Sequence, residues 1–292
     1  MTGLDRILVC VDGSDCALRA AKYGIELAKV HGASVDVLHV IERGRRVARE
    51  PKGLSKRRRE AGEEYLDEVG DLAIEIGYDV DTHLEEGVPH RRITEYVREN
   101  DVDIVVMGRR GRSKLAERLL GGVTERVLRR TDRPVLTVPA AEGASGSAVE
   151  RVLLPTDGSD NAVQAVPVGT EIAGQHSATI HVLTAVDVAA EAGLFDAGGV
   201  DREYIERLEA DGQEDVDAAA ERIRSADSGV VIETAVIRDT PHVAIREYVE
   251  ENNIDLIVMA SEGTSDLAGQ VLGSVADRVL RTVDVPVLII VI

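Results

Sequence analysis

A chain of 292 residues has room for two domains with a core in each, at roughly 100–200 residues per domain. Hydrophobic residues make up 44% of it, which excludes a disordered chain; aromatics make up 2%, with no Trp and a single Phe, Phe195, which excludes a surface of stacked rings for single strands or sugars. The net charge of −19 repels phosphate backbones and anionic lipid heads, so no nucleic acid and no membrane is expected as the main partner.

In chain order, short Val/Ile/Leu runs alternate with segments of helical period. Strands are expected at 6–11, 34–41, 79–85, 102–107 and 134–138, and helices at 15–30, 56–76, 90–99 and 122–131. The pattern then starts again. Residues 6–15, ending in Asp12, Gly13, Ser14 and Asp15, return 145 positions later as 151–160, ending in Asp157, Gly158, Ser159 and Asp160. Further on the offset is 152: residues 102–107 match 254–259, and 120–128 match 272–280, so seven extra residues fall in the middle of the second copy. The reading is a first domain at 1–140, a Gly/Ser-rich linker at 141–149 and a second domain at 150–292.

Alternating strands and helices imply a parallel sheet covered on both faces, and the continuously apolar stretch Ile104 to Met107 fits double-sided burial. The expected fold is therefore α/β: two tandem doubly wound five-stranded parallel-sheet domains. Ligands of such sheets bind beyond the carboxyl ends of the strands where the winding reverses. The last strand, Val287 to Ile292, is apolar throughout and needs a partner if it lies at an edge. Its counterpart is Val135 to Val138, so the two domains are expected to pair about a pseudo-twofold axis as an intramolecular pseudo-dimer.

Charge is unevenly distributed. Residues 1–145 carry 25 Lys+Arg against 26 Asp+Glu, and residues 146–292 carry 9 against 27, net −1 and −18. Much of the basic content lies in two places. One is the connection holding Arg43, Arg45, Arg46, Arg49 and the run Lys52 to Arg59, read as a solvated loop with a lid or docking segment as the alternative. The other is the loop after the fourth strand, with Arg109, Arg110, Arg112 and Lys114 between Gly108, Gly111, Gly121 and Gly122. Bare glycine amides together with a helix start and guanidinium groups form a seat for anionic oxygens, which points to a phosphate-bearing ligand.

Other constellations carry less. Cys10 and Cys16 match neither a metal site nor a redox pair, and only Cys16, near a helix start, is placed for activation. The seven His show no zinc spacing, so no metal site is expected; His90 and His242, each following a Pro at a helix start, read as packing or capping residues. Ser14 and Ser159 read as helix N-caps. There is no Walker A sequence and no G-x-G-x-x-G fingerprint. No leader or membrane span is read, so a soluble, cytoplasmic protein is expected.

The glycine spacing resembles the nucleotide motif of the universal stress protein family: Gly, two residues, Gly, nine residues, then Gly with Ser or Thr. Gly108, Gly111 and Gly121 match it, and the Asp-Gly-Ser strand ends and the Arg-Val-Leu helices extend the resemblance over nearly the whole chain. The resemblance implies a tandem member with the adenine nucleotide alpha hydrolase-like fold that binds ATP, possible Mg included, or related adenine nucleotides. It places adenine near Val11 and Val40, and ribose or a metal near Asp12. Met107 would wall the site, and Gly108, Gly111, Gly121, Gly122, Val123 and Thr124 would hold the phosphates.

Both copies depart from the motif. Gly122 stands where Ser or Thr is expected, which removes one hydroxyl contact of about 1 kcal/mol. In the second copy Ala260 replaces the first glycine, Glu262 and Asp266 replace basic residues, and Ala276 replaces Thr124, so weak or absent nucleotide binding is expected there. The resulting expectation is an ATP-binding stress-response regulator with little or no hydrolysis, not an enzyme, acting through an unidentified protein partner, with a further homodimer left open. A nucleotide-independent dimerisation or interaction module is the alternative. An adenylate-forming or electron-transferring enzyme lacks its signatures.

Overall fold

A computed structural model of the chain describes residues 4–42, 54–111, 120–140, 149–188, 202–227, 229–263 and 272–292. Arg43, Arg45, Arg46, Arg49, Lys52, Arg112, Lys114, Asp266 and the expected linker up to residue 148 lie outside the described residues. The chain divides into two compact units between Ser147 and Ala148.

In the first unit β1 (Arg6–Val11), α1 (Asp15–His31), β2 (Ser34–Glu42), α2 (Leu54–Ile76), β3 (Asp81–Gly87), α3 (Pro89–Glu99), β4 (Ile104–Gly108), α4 (Gly122–Leu128) and β5 (Val135–Val138) follow one another. The strands lie in the order β3-β2-β1-β4-β5, with parallel pairing at every step. The winding therefore reverses between β1 and β4, whose register sets Cys10 beside Met107. Every residue of β4 is buried, as its unbroken apolar run requires, and Ile7, Leu8, Leu38, Ile104 and Leu136 form the fully enclosed centre. The edge strand β3 carries Glu85 and Glu86 and is only half-buried, which discourages pairing with other chains.

The second unit repeats this plan with β6 (Arg151–Pro155), α5 (Asp160–Val163), α6 (Ala165–His176), β7 (Thr179–Ala185), α7 (Arg202–Ala226), β8 (Ile232–Ile237), α8 (Pro241–Glu251), β9 (Leu256–Ala260), α9 (Ser274–Thr282) and β10 (Val287–Ile290). Its order is β10-β9-β6-β7-β8, again parallel. The single helix α1 has become two short ones because Pro167 has no N–H to give and its ring crowds the carbonyl of Val163.

Polar residues at the strand starts fix the geometry twice. The Asp103 carboxylate accepts the N–H groups of Asp5 and Arg6, both at 2.9 Å, and Asp255 accepts those of Glu150 and Arg151 at the same distance. Ser14 and Ser159 accept from the N–H groups of Ala17 (3.2 Å) and Ala162 (3.1 Å), the N-cap role expected of both. Cys10 is enclosed, and burial pushes its thiol up. Cys16 is buried and its Sγ–H donates to the Val138 carbonyl at 3.3 Å, so the thiol placed for activation is tied into the core.

Candidate functional site

The winding reversal opens a cleft of about 750 Å³ in the first unit, large enough for a nucleotide-sized ligand. Val11, Asp12, Val40, Met107, Gly108, Gly111, Gly121, Gly122, Val123 and Thr124 all line it, although they come from four separate segments of the chain. Its lining combines apolar Leu38, Ile41, Ala61 and Ile93 with the charged Glu42 and Arg58, and with the glycines at the end of β4 and the start of α4.

Asp12 is pinned where β1 ends. Its Oδ1 accepts from the N–H (3.1 Å) and the hydroxyl (2.6 Å) of Ser14, and a Cβ on Gly111 would fall 2.5 Å from its Oδ2. Gly111 is thus the residue that lets the loop backbone rest on this carboxylate. Gly13, with φ of +75°, makes the turn into α1 beneath the Tyr65 ring. Tyr65 packs edge-on against His39, whose Nδ1 lies 2.8 Å from the Val11 carbonyl and must therefore carry the proton.

Gly108 has a different reason to be glycine. A Cβ there would meet the backbone N of Ala17 and the carbonyl carbon of Cys16, both at 3.0 Å, so β4 and the first turn of α1 are in backbone contact. The Gly121 N–H donates to the Arg109 carbonyl (2.9 Å), and the Arg109 N–H donates to the Val138 carbonyl (2.7 Å), which closes the loop into a frame. Inside that frame the Thr124 hydroxyl donates to the Gly108 carbonyl at 3.0 Å and is buried, so it braces the loop and has no proton left for a ligand. No side chain caps α4, which leaves the N–H groups of its first turn facing the cleft without one.

The basic residues differ from the sequence expectation. Arg109 is only 3% exposed and does not line the cleft, because its backbone continues the β4 pairing and its side chain turns inward. Arg110 does line it. So do Arg126, from α4, and Arg58, from α2, neither of which the sequence singles out as a ligand residue. Arg126 is four residues after Gly122, a helical spacing that carries the signal. The stretch Lys56 to Arg59 belongs to α2, in line with the helix expected at 56–76 and against the loop reading of this part of the basic run: Arg58 donates to the Glu42 carbonyl (3.3 Å) and Arg59 pairs with Glu86 at 2.5 Å.

The second unit keeps the frame and changes the chemistry. The Gly273 N–H donates to the Ser261 carbonyl (2.6 Å), the Ser261 N–H donates to the Ile290 carbonyl (2.8 Å), and a Cβ on Gly263 would fall 2.5 Å from Asp157 Oδ2. The crevice is smaller, about 410 Å³, and is lined by Asp157, Asp187, Asp211, Asp215 and Glu262, with no Lys or Arg among the described lining residues. Asp215 takes the place of Tyr65 over the tight-turn glycine, here Gly158, and Ala260 takes that of Gly108. Burial, then the neighbouring charges of Asp157, Asp211 and Glu214, hold the Asp215 carboxyl above its ordinary range.

Among the described residues no group of three or more His, Cys, Asp or Glu is placed to hold a metal ion, and no helix is long and apolar enough to cross a membrane.

A doubly wound parallel sheet with a cleft at its winding reversal, present twice in one chain, defines a tandem α/β protein. The universal stress protein family matches residues 3–139 and again 148–291, and the chain belongs to that family. A universal stress protein of Synechocystis is 24% identical over 98% of this chain and 99% of its own length. One from Methanocaldococcus jannaschii is 36% identical over 46% of this chain and 81% of its own. The crystal structure of a universal stress protein from Archaeoglobus fulgidus superposes with a TM-score of 0.74 at 24% identity, covering 98% of this chain and 96% of that one, so the two share the fold.

Proposed function

We propose that the first domain binds an adenine nucleotide, ATP with Mg²⁺, and that the protein acts as a nucleotide-responsive regulator of a stress response with little or no hydrolysis. The observation that carries this reading is the convergence of all ten motif positions on one cleft, with Arg110 and Arg126 at its glycine end in a chain of net charge −19. The residues fit the ligand. The apolar side chains of the lining would take the base, Asp12 the ribose hydroxyls or the ion, and the main-chain N–H groups and arginines the phosphates. Asp12, His39 and Glu42 line the cleft, and little or no hydrolysis is proposed on the strength of the sequence, which has no Walker A motif.

For the second domain the row of carboxylates favours a nucleotide-independent interaction module, because like charges in a confined crevice repel a phosphate chain. Pairing of the two last strands within one chain, association into a homodimer, an unidentified protein partner and a cytoplasmic location extend the proposal on the strength of the sequence.

Thermal melting of the whole chain with and without Mg-ATP tests it. Ligand at 100 times its Kd stabilises a native site by about 2.7 kcal/mol, and the melting temperature should rise accordingly. No rise at millimolar ATP rejects the reading. Nucleotide recovered with the purified protein should amount to one copy per chain, and two copies would reject the division of roles.

A further inference from the structure

Gly122 is the place where the motif's hydroxyl is missing, and the two repeats supply an internal comparison for what replaces it. Arg126 and Arg278 occupy equivalent positions, four residues after Gly122 in one copy and four after Ser274 in the other. In the first unit Arg126 lines the cleft, and a Cβ built on Gly122 would lie 4.0 Å from its Nη1. A side chain at 122 would therefore lie in ordinary van der Waals contact with the guanidinium, at the same end of the cleft. In the second unit Ser274 lines the crevice and Arg278 does not.

Among the described residues no carboxylate answers the charge of Arg126. It makes no hydrogen bond or ion pair with any of them, and the adjacent Glu125 is taken by Arg129 at 3.2 Å. Arg126 acts together with Arg130 and Arg91 on the buried imidazole of His90, so its surroundings in the α3/α4 pair include further positive charge. Arg126 and Gly122 are exposed whereas Thr124 is buried, so the guanidinium sits at the outer side of the glycine end. A planar guanidinium offers two parallel N–H donors to a phosphate group. The phosphates farthest from the sugar would reach it.

Resting on the nucleotide reading above, we propose that Arg126, beside Gly122 at the glycine end of the cleft, is a specificity-determining residue that selects nucleoside polyphosphates over nucleoside monophosphates and cyclic nucleotides. Gly122 is then a functional exchange of a hydroxyl for a guanidinium rather than decay of the motif.

Calorimetric titration of the full chain with ATP, ADP, AMP and cyclic AMP tests this in the wild type, Arg126→Ala, Arg126→Lys, Gly122→Ser and the Gly122→Ser/Arg126→Ala double variant. Arg126→Ala should weaken ATP by about 10-fold or more and AMP by less than about 3-fold, with Arg126→Lys in between because it keeps the charge and loses the fork. In the Gly122→Ser background the same alanine change should cost ATP less than about 3-fold, since the serine hydroxyl beside the guanidinium supplies a second donor for the same phosphate oxygens. Equal losses for ATP and AMP, or an equal cost in both backgrounds, would overturn the role of Arg126 while leaving nucleotide binding intact. A wild-type chain that binds none of the four ligands at millimolar concentration removes the nucleotide reading itself, and this inference with it. Arg126 is exposed and α4 is anchored by buried Val127 and Leu128, so the variants should keep the wild-type melting temperature, which is the control for folding.

Discussion

At residues 108 and 111 the same residue type answers two different needs, and substitution should separate them. Gly108 lies against the backbone of Cys16 and Ala17, which cannot swing aside, so Gly108→Ala forces β4 and α1 apart. The expected cost is about 1–3 kcal/mol of stability, read from denaturant unfolding, with ligand binding lost as a consequence. Gly111 lies against the end of a side chain, the Asp12 carboxylate. Gly111→Ala should displace that carboxylate, removing the Mg-ATP shift while changing the unfolding midpoint far less. Gly263→Ala meets the same obstacle at Asp157 and should leave the ATP shift as it is, because the second crevice is not where the phosphates go. If the Gly111 and Gly263 variants behave alike toward ATP, the two units do not differ as argued.

Between residue and domain stand the elements, and here the duplicated Asp clamp gives a paired test. Asp103→Ala removes the shared acceptor of two N–H groups at the start of β1, one exposed and one part-buried, and Asp255→Ala does the same at β6. Water can replace the carboxylate at the exposed group, so each variant should lose about 1–2 kcal/mol, and hydrogen exchange should locate the loss in the unit that carries the change. The same scale shows what can be read from sequence. Strand and helix identities are legible because the apolar run is unbroken in β1 and β4 and only interrupted by Asp36 and His39 in β2, and both N-caps are legible because Ser follows Asp-Gly at a strand end. The β3 boundary lies at 81 rather than 79 because Tyr78 is held back by its hydroxyl bond to the Ala33 carbonyl (2.7 Å), and pairing begins only at Asp81 with Asp36. The glycine loop is legible in outline, through spacing. Its side chains are less so: Arg109 turns inward because its backbone prolongs a strand pairing, Arg58 reaches the cleft from α2 by a tertiary placement with no local signature, and Arg126 is signalled only by its helical spacing from Gly122.

For the molecule as a whole, acidity and buried imidazoles should set opposing trends with pH. His90, His176, His181 and His242 all titrate below the ordinary histidine range, with burial as the leading cause in each case, joined at His90 by Arg130, Arg126 and Arg91. The unfolded chain therefore binds protons that the folded chain refuses, and stability rises with pH across the interval between the folded and unfolded values. Their contribution is complete above about pH 6.5 and is lost as the pH falls below it. Asp215 has the opposite sign: its raised folded value means the native state holds a proton longer, so its contribution fades as pH rises from about 3.9 through that value. Lowering the pH also relieves the self-repulsion of a chain carrying −19, a stabilising change common to wild type and variant. Comparing melting temperatures between pH 7 and pH 5 in the wild type and in His181→Gln isolates the imidazole. His181 is 4% exposed with Nδ1 3.0 Å from the Tyr248 hydroxyl, a bond that glutamine can reproduce without a titrating group. The variant should lose less stability than the wild type on acidification, and a His90→Gln/His181→Gln pair should lose less again; identical acid slopes in all three would mean that these imidazoles accept protons in the folded state as readily as in the unfolded one.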